Sequence, residues 1–227
     1  PLNMQASFRV GELAVANVML RDVVMSLVAS DGRLRVNPLR ASLYEGQYSG
    51  DIRLNLRGEE PQIAMNENLS DIQIGLLLLD MKNIQNIEGE FEAKFQATSS
   101  GNTEAELIAG LNGGLSFELQ EGIYQGRDFW YELRSQKARL SGDPQPPAPE
   151  NPKTDISRLF GSGVVTNGVL QNNDFIMQLP FVRLNGAGQA DLNQMQLNYR
   201  LNAKVIGSPE FDDGSNLDEL KGLTLPV

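Results

Sequence analysis

The sequence predicts a mainly β chain with short helices, of the α+β class: a long twisted antiparallel sheet of hairpins, curled into a partial groove, with short amphipathic helices packed on its apolar face. Three observations lead there. Apolar and polar residues alternate through several long runs, the mark of strands with one dry and one wet face. Dipeptides ending in glycine separate the runs, as tight hairpins require. The helical segments between them are too short to stand alone, so their apolar stripes need a surface to dock on.

The alternation is clearest in four places. Ile52, Leu54 and Leu56 alternate with Arg53, Asn55 and Arg57. Phe91, Ala93, Phe95 and Ala97 alternate with Glu90, Glu92, Lys94 and Gln96. Leu115, Phe117 and Leu119 alternate with Ser116, Glu118 and Gln120. Leu197, Tyr199, Leu201, Ala203 and Val205 alternate with Asn198, Arg200, Asn202 and Lys204. One-sided alternation implies antiparallel pairing rather than a doubly buried parallel sheet. Turns are expected at Asp31-Gly32, Glu45-Gly46, Glu121-Gly122 and Asn167-Gly168. A faint repeat, L-x-E-G-x-Y-x-G, occurs at Leu43–Gly50 and at Leu119–Gly126. It reads either as recurring hairpin chemistry or as a repeated unit.

Helix signals punctuate the strands. Ser70-Asp71-Ile72-Gln73 has a capping-box pattern leading into Ile72, Leu76 and Leu79. Thr103-Glu104-Ala105-Glu106 repeats the device before Leu107, Ile108 and Leu111, with Gly113-Gly114 as its stop. Asp128 caps a third helix carrying Phe129, Trp130, Leu133 and Leu140, and Asp155–Phe160 reads as about one and a half turns ended by Gly161. Ser141–Thr154 holds five of the chain's 11 prolines and reads as an extended, flexible surface loop within a single 1–227 domain. Leu223–Val227 reads as the start of a strand, which marks the chain as a piece of a longer protein.

Composition narrows the chemistry. The chain has 227 residues, 29 acids against 19 bases, no histidine and no cysteine, for a net charge of -10. No imidazole or thiol is available for nucleophilic or general acid–base work, and no disulfide can form. The acid surplus argues against nucleic acid and against adhesion to anionic headgroups by charge alone. The longest aliphatic run, Leu76–Leu79, is far short of the roughly 20 residues of a membrane-spanning helix, and Pro1–Val10 carries no signal-peptide pattern.

No motif rises to an active site. Glu88, Glu90 and Glu92 beside Lys94 fit a solvated strand face. Asp212-Asp213-Gly214-Ser215-Asn216 with Asp218 and Glu219 lacks the order of a calcium loop and fits a polar turn before a short helix at Leu217–Lys221. Gly161-Ser162-Gly163 and Gly186-Ala187-Gly188 stand outside any strand–turn–helix context and read as strand kinks or bulges. Trp130 with Phe129 and Tyr131 reads as core. What remains is a large one-sided apolar surface, either closed by the helices or left partly open as a groove.

The order of several short motifs resembles the C-terminal region of the AsmA family. They are Leu39 with Tyr44-Glu45-Gly46-Gln47-Tyr48-Ser49-Gly50, Leu54 and Leu56, and Asn66 with Leu69-Ser70-Asp71-Ile72 and Leu76–Leu79. Leu111-Asn112-Gly113-Gly114, Glu121–Gly126, Ile156 with Leu159-Phe160, Asn167-Gly168-Val169, Asn185–Leu192 and Leu197–Leu201 continue it. The match runs from about Ala14 onward. The resemblance implies a periplasmic protein of Gram-negative bacteria, held in the inner membrane by an anchor helix outside this stretch. It also implies kinship with bridge-like lipid-transfer proteins, and a role in phospholipid movement and outer-membrane integrity.

With that resemblance, the expected contact surface for phospholipid acyl chains is a concave face of Ile52, Leu54, Leu56, Phe91, Phe95, Leu115, Phe117, Leu119, Phe175, Met177, Leu179, Leu197, Leu201 and Val205. Lipid tails call for continuous apolar area rather than catalytic groups, so no enzyme activity, metal or cofactor is expected, and the stretch is expected to be monomeric. Two other functions stay open: a scaffold or assembly factor for outer-membrane proteins that pairs client strands at its sheet edges, and, more remotely, a two-carboxylate glycosidase.

Overall fold

A computed structural model describes residues 3–15, 17–208, 210–211, 217–218 and 221–222, with the backbone of 224–226. Twelve strands form one antiparallel sheet in which every strand pairs with its sequence neighbours. They are β1 (Met4–Val15), β2 (Val18–Ser30), β3 (Arg33–Leu43), β4 (Gly46–Asn55), β5 (Gln62–Gln73), β6 (Ile87–Ser100), β7 (Asn112–Gln125), β8 (Lys153–Thr166), β9 (Val169–Leu179), β10 (Val182–Asp191), β11 (Gln196–Val205) and β12 (Thr224–Pro226). β1 and β12 are the two edges, so the sheet is open rather than a barrel. Among the described residues no helix is long and apolar enough to cross a membrane.

A pure meander sends its connections alternately to two ends of the sheet. One end, the upper, carries the Tyr44-Glu45 turn, helix α1 (Ile74–Lys82) and helix α3 (Phe129–Ser141). The lower end carries the Asp31-Gly32 turn, helix α2 (Glu104–Ala109) and the Asn167-Gly168 turn. Both Asp31-Gly32 (φ 48° and 69°) and Asn167-Gly168 (φ 50° and 77°) have positive φ at both positions, as the sequence predicts for hairpins whose twist matches the strands.

Near the upper end the sheet is re-aimed by bulges. Asp22, Asp71 and Glu121 take φ of 51°, 58° and 48°, beside register shifts on β2, β5 and β7. The extra residue turns its successor inward: Val23 and Ile72 are both fully buried. Around α3, Ile156, Leu179, Val182 and Ala203 form a buried cluster packed by Tyr124, Phe129, Trp130, Leu159, Met177 and Leu184. Trp130 meets Phe129, Phe181 and Phe211 edge-on, with centroids 5.3, 6.4 and 6.3 Å away. Each large aliphatic side chain removed from water here contributes about 1.5–3 kcal/mol.

Several local expectations are corrected. Ser70, Asp71 and Ile72 belong to β5. Helix α1 starts at Ile74 with Gln73 as an N-cap that makes no side-chain bond, and Leu76 and Leu79 are exposed. The bulge at Asp71 wins over the capping-box pattern. Thr103 does cap α2, accepting from the Glu106 N–H at 3.2 Å, but the helix ends at Gly110 and Gly113-Gly114 lies within β7. Asp128 caps α3 as expected, accepting from the Tyr131 N–H at 2.9 Å, although Leu140 points to solvent. Asp155–Phe160 is not a helix but part of β8, whose long ladder with β7 overrides the local spacing.

The two copies of the repeat differ as well. In the first, Tyr44 and Glu45 form the turn (φ 45° and 69°) and Gly46 opens β4; in the second, Glu121-Gly122 is a mid-strand bulge and no hairpin. The segment between α3 and β8 holds no helix or strand, and the C-terminal strand expectation holds for 224–226. Of the acidic segment, 212–216 and 219 lie outside the described residues.

Candidate functional site

Residues opposite one another in an antiparallel ladder share a face, so the registers place side chains in rows across the sheet. One row runs Val36–Ile52–Met65–Ala97–Gly113–Val165–Leu170–Ala190–Leu197. Nearer the upper end come Phe95–Leu115–Gly163, then Ala93–Phe117–Gly161, then Ile72–Phe91–Leu119–Leu159–Met177–Leu184–Ala203. Phe175 faces Gly186 and Leu201, Leu179 faces Val182 and Val205, and Leu54 pairs with Leu34 and Ile63. Leu56 lies just past β4 in the same alternation. All fourteen residues expected to form the apolar surface therefore fall on one side of the sheet.

Their burial is graded. Leu119, Leu179 and Val205 are interior, packed at the upper end where α3 covers the sheet. Ile52, Leu54, Phe91, Phe95, Leu115, Phe117, Phe175, Met177 and Leu201 are half-buried. At the lower end Leu56 is 53% and Leu197 74% exposed. The helices explain the gradient: α1 packs on β2, β5 and β6 near their upper ends and α2 on the lower end of β6, so among the described residues no second layer crosses the middle rows. Beneath α3 the face opens into a cavity of about 340 Å³ lined by Ile87, Leu119, Tyr124, Phe129, Ile156, Leu159, Met177 and Leu179. Arg127, Glu132 and Thr154 stand at its margin.

Glycines keep the middle of the face low. A Cβ at Gly161 would sit 3.1 Å from the tip of the Phe117 ring, and one at Gly186 would sit 2.7 Å from the Tyr199 ring and 3.0 Å from that of Phe175. Phe175 and Tyr199 then meet edge-on at 6.1 Å. The two G-x-G triplets thus make room for aromatic rings on the apolar face.

Polar groups interrupt the face at few points. Tyr48 Oη donates to Glu67 Oε2 at 2.5 Å, while Glu67 Oε1 is buried and accepts no hydrogen bond from the described residues. Burial first, then the Glu67 bond, pushes the Tyr48 hydroxyl well above the usual tyrosine range. Tyr199 donates to Asn172 Oδ1, and Asn172 Nδ2 donates to the Ser162 carbonyl at 2.5 Å. On the opposite, wet face, Asp51 bridges Arg35 and Arg53, with each Nη2 2.7 Å from Oδ2. Hydrogen bonds from Arg35, then Arg53, hold its carboxyl well below the usual carboxylate range. Glu118 is held below its usual range by Arg158 in the same way, through two 2.7 Å bonds.

The face is wider than the fourteen residues. Leu34, Val36, Ile63, Met65, Leu69 and Leu159 share it, and the same period-2 signal marks Leu34 and Val36 between arginines and Ile63 and Met65 beside Asn66. Tyr48, the tyrosine of the first L-x-E-G-x-Y-x-G copy, and Glu67 lie on it too, and no sequence pattern pairs them.

The AsmA family profile matches residues 2–175 of this chain. The chain belongs to the AsmA family. Protein AsmA of Escherichia coli (strain K12) is 21% identical to it over 213 residues, covering 91% of this chain and 33% of that protein. The chain thus spans about a third of the length of this relative. No solved structure matches it. Within an AsmA-family chain, the one-sided sheet is the feature that calls for a function.

Proposed function

We propose that this AsmA-family chain is a non-enzymatic lipid-handling segment of a Gram-negative envelope protein, holding phospholipid acyl chains along the apolar face of its sheet. One observation carries the reading: among the described residues, the rows of apolar side chains run across the sheet without a second layer over their middle. A contiguous apolar face left without a covering layer suits a binding surface. Acyl chains fit it because they are apolar and featureless, and the half-buried side chains offer contact without directional groups. The apolar cavity under α3 continues the face at its upper end. In the whole protein the segment works in the periplasm, tethered to the inner membrane by a helix elsewhere in the chain, and moves phospholipid toward the outer membrane.

The experiment is lipid extraction and native mass spectrometry of the purified chain, comparing wild type with Leu54→Asp and Phe117→Asp. Both positions are half-buried, so a folded variant with depleted lipid is the expected outcome. Folded variants that keep their full lipid complement contradict it. A second reading, an assembly factor for outer-membrane proteins, draws on β1, whose outer edge is unpaired among the described residues. A lipid-free chain that captures unfolded β-barrel peptides favours that reading instead.

A further inference from the structure

The net charge of -10 hides a local surplus of the opposite sign. On the wet face at the lower end, Arg33, Arg35, Arg53 and Arg57 line a cavity of about 810 Å³. Elsewhere that face carries both signs, with Glu88, Glu90, Glu92 and Lys94 on β6 and Glu118 paired with Arg158 across β7 and β8. Arg35 and Arg53 are direct cross-strand partners, a like-charge opposition that destabilises a ladder. Asp51 resolves it by taking both guanidinium groups at once: Nε at 3.0 and 3.3 Å from Oδ1 and Nη2 at 2.7 Å from Oδ2. Arg57 pairs with Asp31, and Arg33 has no acidic partner among the described residues. Four guanidinium groups therefore face two carboxyl groups, and the remaining N–H donors of Arg35 and Arg53 are held in fixed orientation by the carboxylate between them.

We infer that this cavity binds a phosphate-type anion, borne by a phospholipid headgroup or free in solution. Planar guanidinium forks match phosphate oxygens in pairs, and a residual positive charge in a preoriented cluster is what a phosphate needs. Gln62 and Thr98 add neutral donors to the same wall, and Leu34, Leu54 and Ile63, which end the apolar rows, border it. A phosphate seated here stands at the lower end of the sheet, where Leu56 is exposed. The anion chemistry is independent of the groove reading; only its headgroup form rests on it.

The test is isothermal titration of the intact chain with inorganic phosphate and, separately, with dihexanoyl phosphatidylglycerol below its micelle concentration. Arg33 is exposed and has no acidic partner among the described residues, so the fold is expected to persist in Arg33→Gln, as a thermal melt would show; Arg33→Gln/Arg57→Gln is the stronger variant. Binding of either probe that weakens about tenfold in the double variant supports the site, and so does its loss on raising the salt. Equal binding of both probes assigns a free anion, and binding of the short lipid alone assigns a headgroup. Absence of binding by both at millimolar concentration, or binding indifferent to the arginines, overturns the inference. Lipid still depleted by Phe117→Asp, a position outside this cavity, while the arginine variants change nothing sinks the anion site and leaves the apolar face standing; the reverse pattern sinks the apolar-face reading alone.

Discussion

Phe117 of β7 lies directly across from Gly161 of β8, with the tip of its ring in the space a side chain at 161 would take. A Cβ there would stand 3.1 Å from Phe117 Cζ, 3.2 Å from Asn172 Nδ2 and 3.4 Å from Phe175 Cα. Gly161→Val is expected to destabilise the chain by about 1–3 kcal/mol through overpacking. Thermal or urea unfolding measures it. If the ring is the obstacle, Phe117→Leu added to Gly161→Val restores part of the loss; an additive loss contradicts that arrangement.

Gly46 and Gly11 make a contrasting pair. A Cβ at Gly46 would fall 2.3 Å from the Ser70 carbonyl oxygen and 2.5 Å from the Asp71 carbonyl, all backbone that cannot swing aside, whereas one at Gly11 meets nothing within 4 Å. Gly46→Ala is therefore expected to cost at least about 1–3 kcal/mol. Gly11→Ala is expected to be neutral or to stabilise by about 0.4–1 kcal/mol through the unfolded chain. Equal effects from the two would mean the Asp71 bulge does not crowd β4 as described.

Tyr48 and Glu67 place a polar pair on the apolar face. Tyr48→Phe leaves the Glu67 carboxyl without its donor and is expected to cost about 1–3 kcal/mol, while adding Glu67→Leu recovers most of that, because removing both partners removes the unmet need. The wild-type pH profile has a definite sign. The unfolded tyrosine ionises near about 10, whereas folded Tyr48 holds its proton to higher pH. Its contribution is full below about 10 and is lost as pH rises beyond that, which denaturant titrations from neutral to alkaline pH would follow.

Asp51 has the opposite sign. Its folded carboxyl ionises more readily than an unfolded one, so its contribution is full above the unfolded value of about 4 and fades as pH falls below it. Asp51→Asn is expected to lower the melting temperature, more at low salt than at high, since Arg35 and Arg53 then oppose each other unshielded. The gap between wild type and variant is expected to narrow as pH falls from 5 to 2. A gap constant with pH and salt contradicts the bridge.

How much of this was written in the sequence depends on range. Period-2 alternation placed Ile52, Phe95, Phe117 and Leu201 on one face, because a ladder preserves side-chain parity over many strands. Local spacing misled where a long-range ladder decided the outcome: Ile156, Leu159 and Phe160 fit a helical stripe yet pair strand-wise with β7 and β9. Ser70-Asp71-Ile72 mimics a cap because a bulge and an N-cap draw on the same residues. The division of the face into core under α3 and uncovered rows was not legible, since it depends on where α1, α2 and α3 land. The arginine cavity was equally hidden, because Arg35 and Arg53 meet only through the β3–β4 register.

Lipid handling by this sheet requires that the middle rows of its apolar face touch acyl chains. Site-specific photocrosslinking tests it most directly, with a benzophenone amino acid placed at Phe95 or Phe117 on the apolar face and at Lys94 or Ser116 on the opposite face of the same strands, in cells expressing the intact protein. Lipid adducts, read by mass spectrometry of the purified protein, are expected at Phe95 and Phe117 and not at Lys94 or Ser116. Adducts absent from both faces, or equal on the two, would contradict the account.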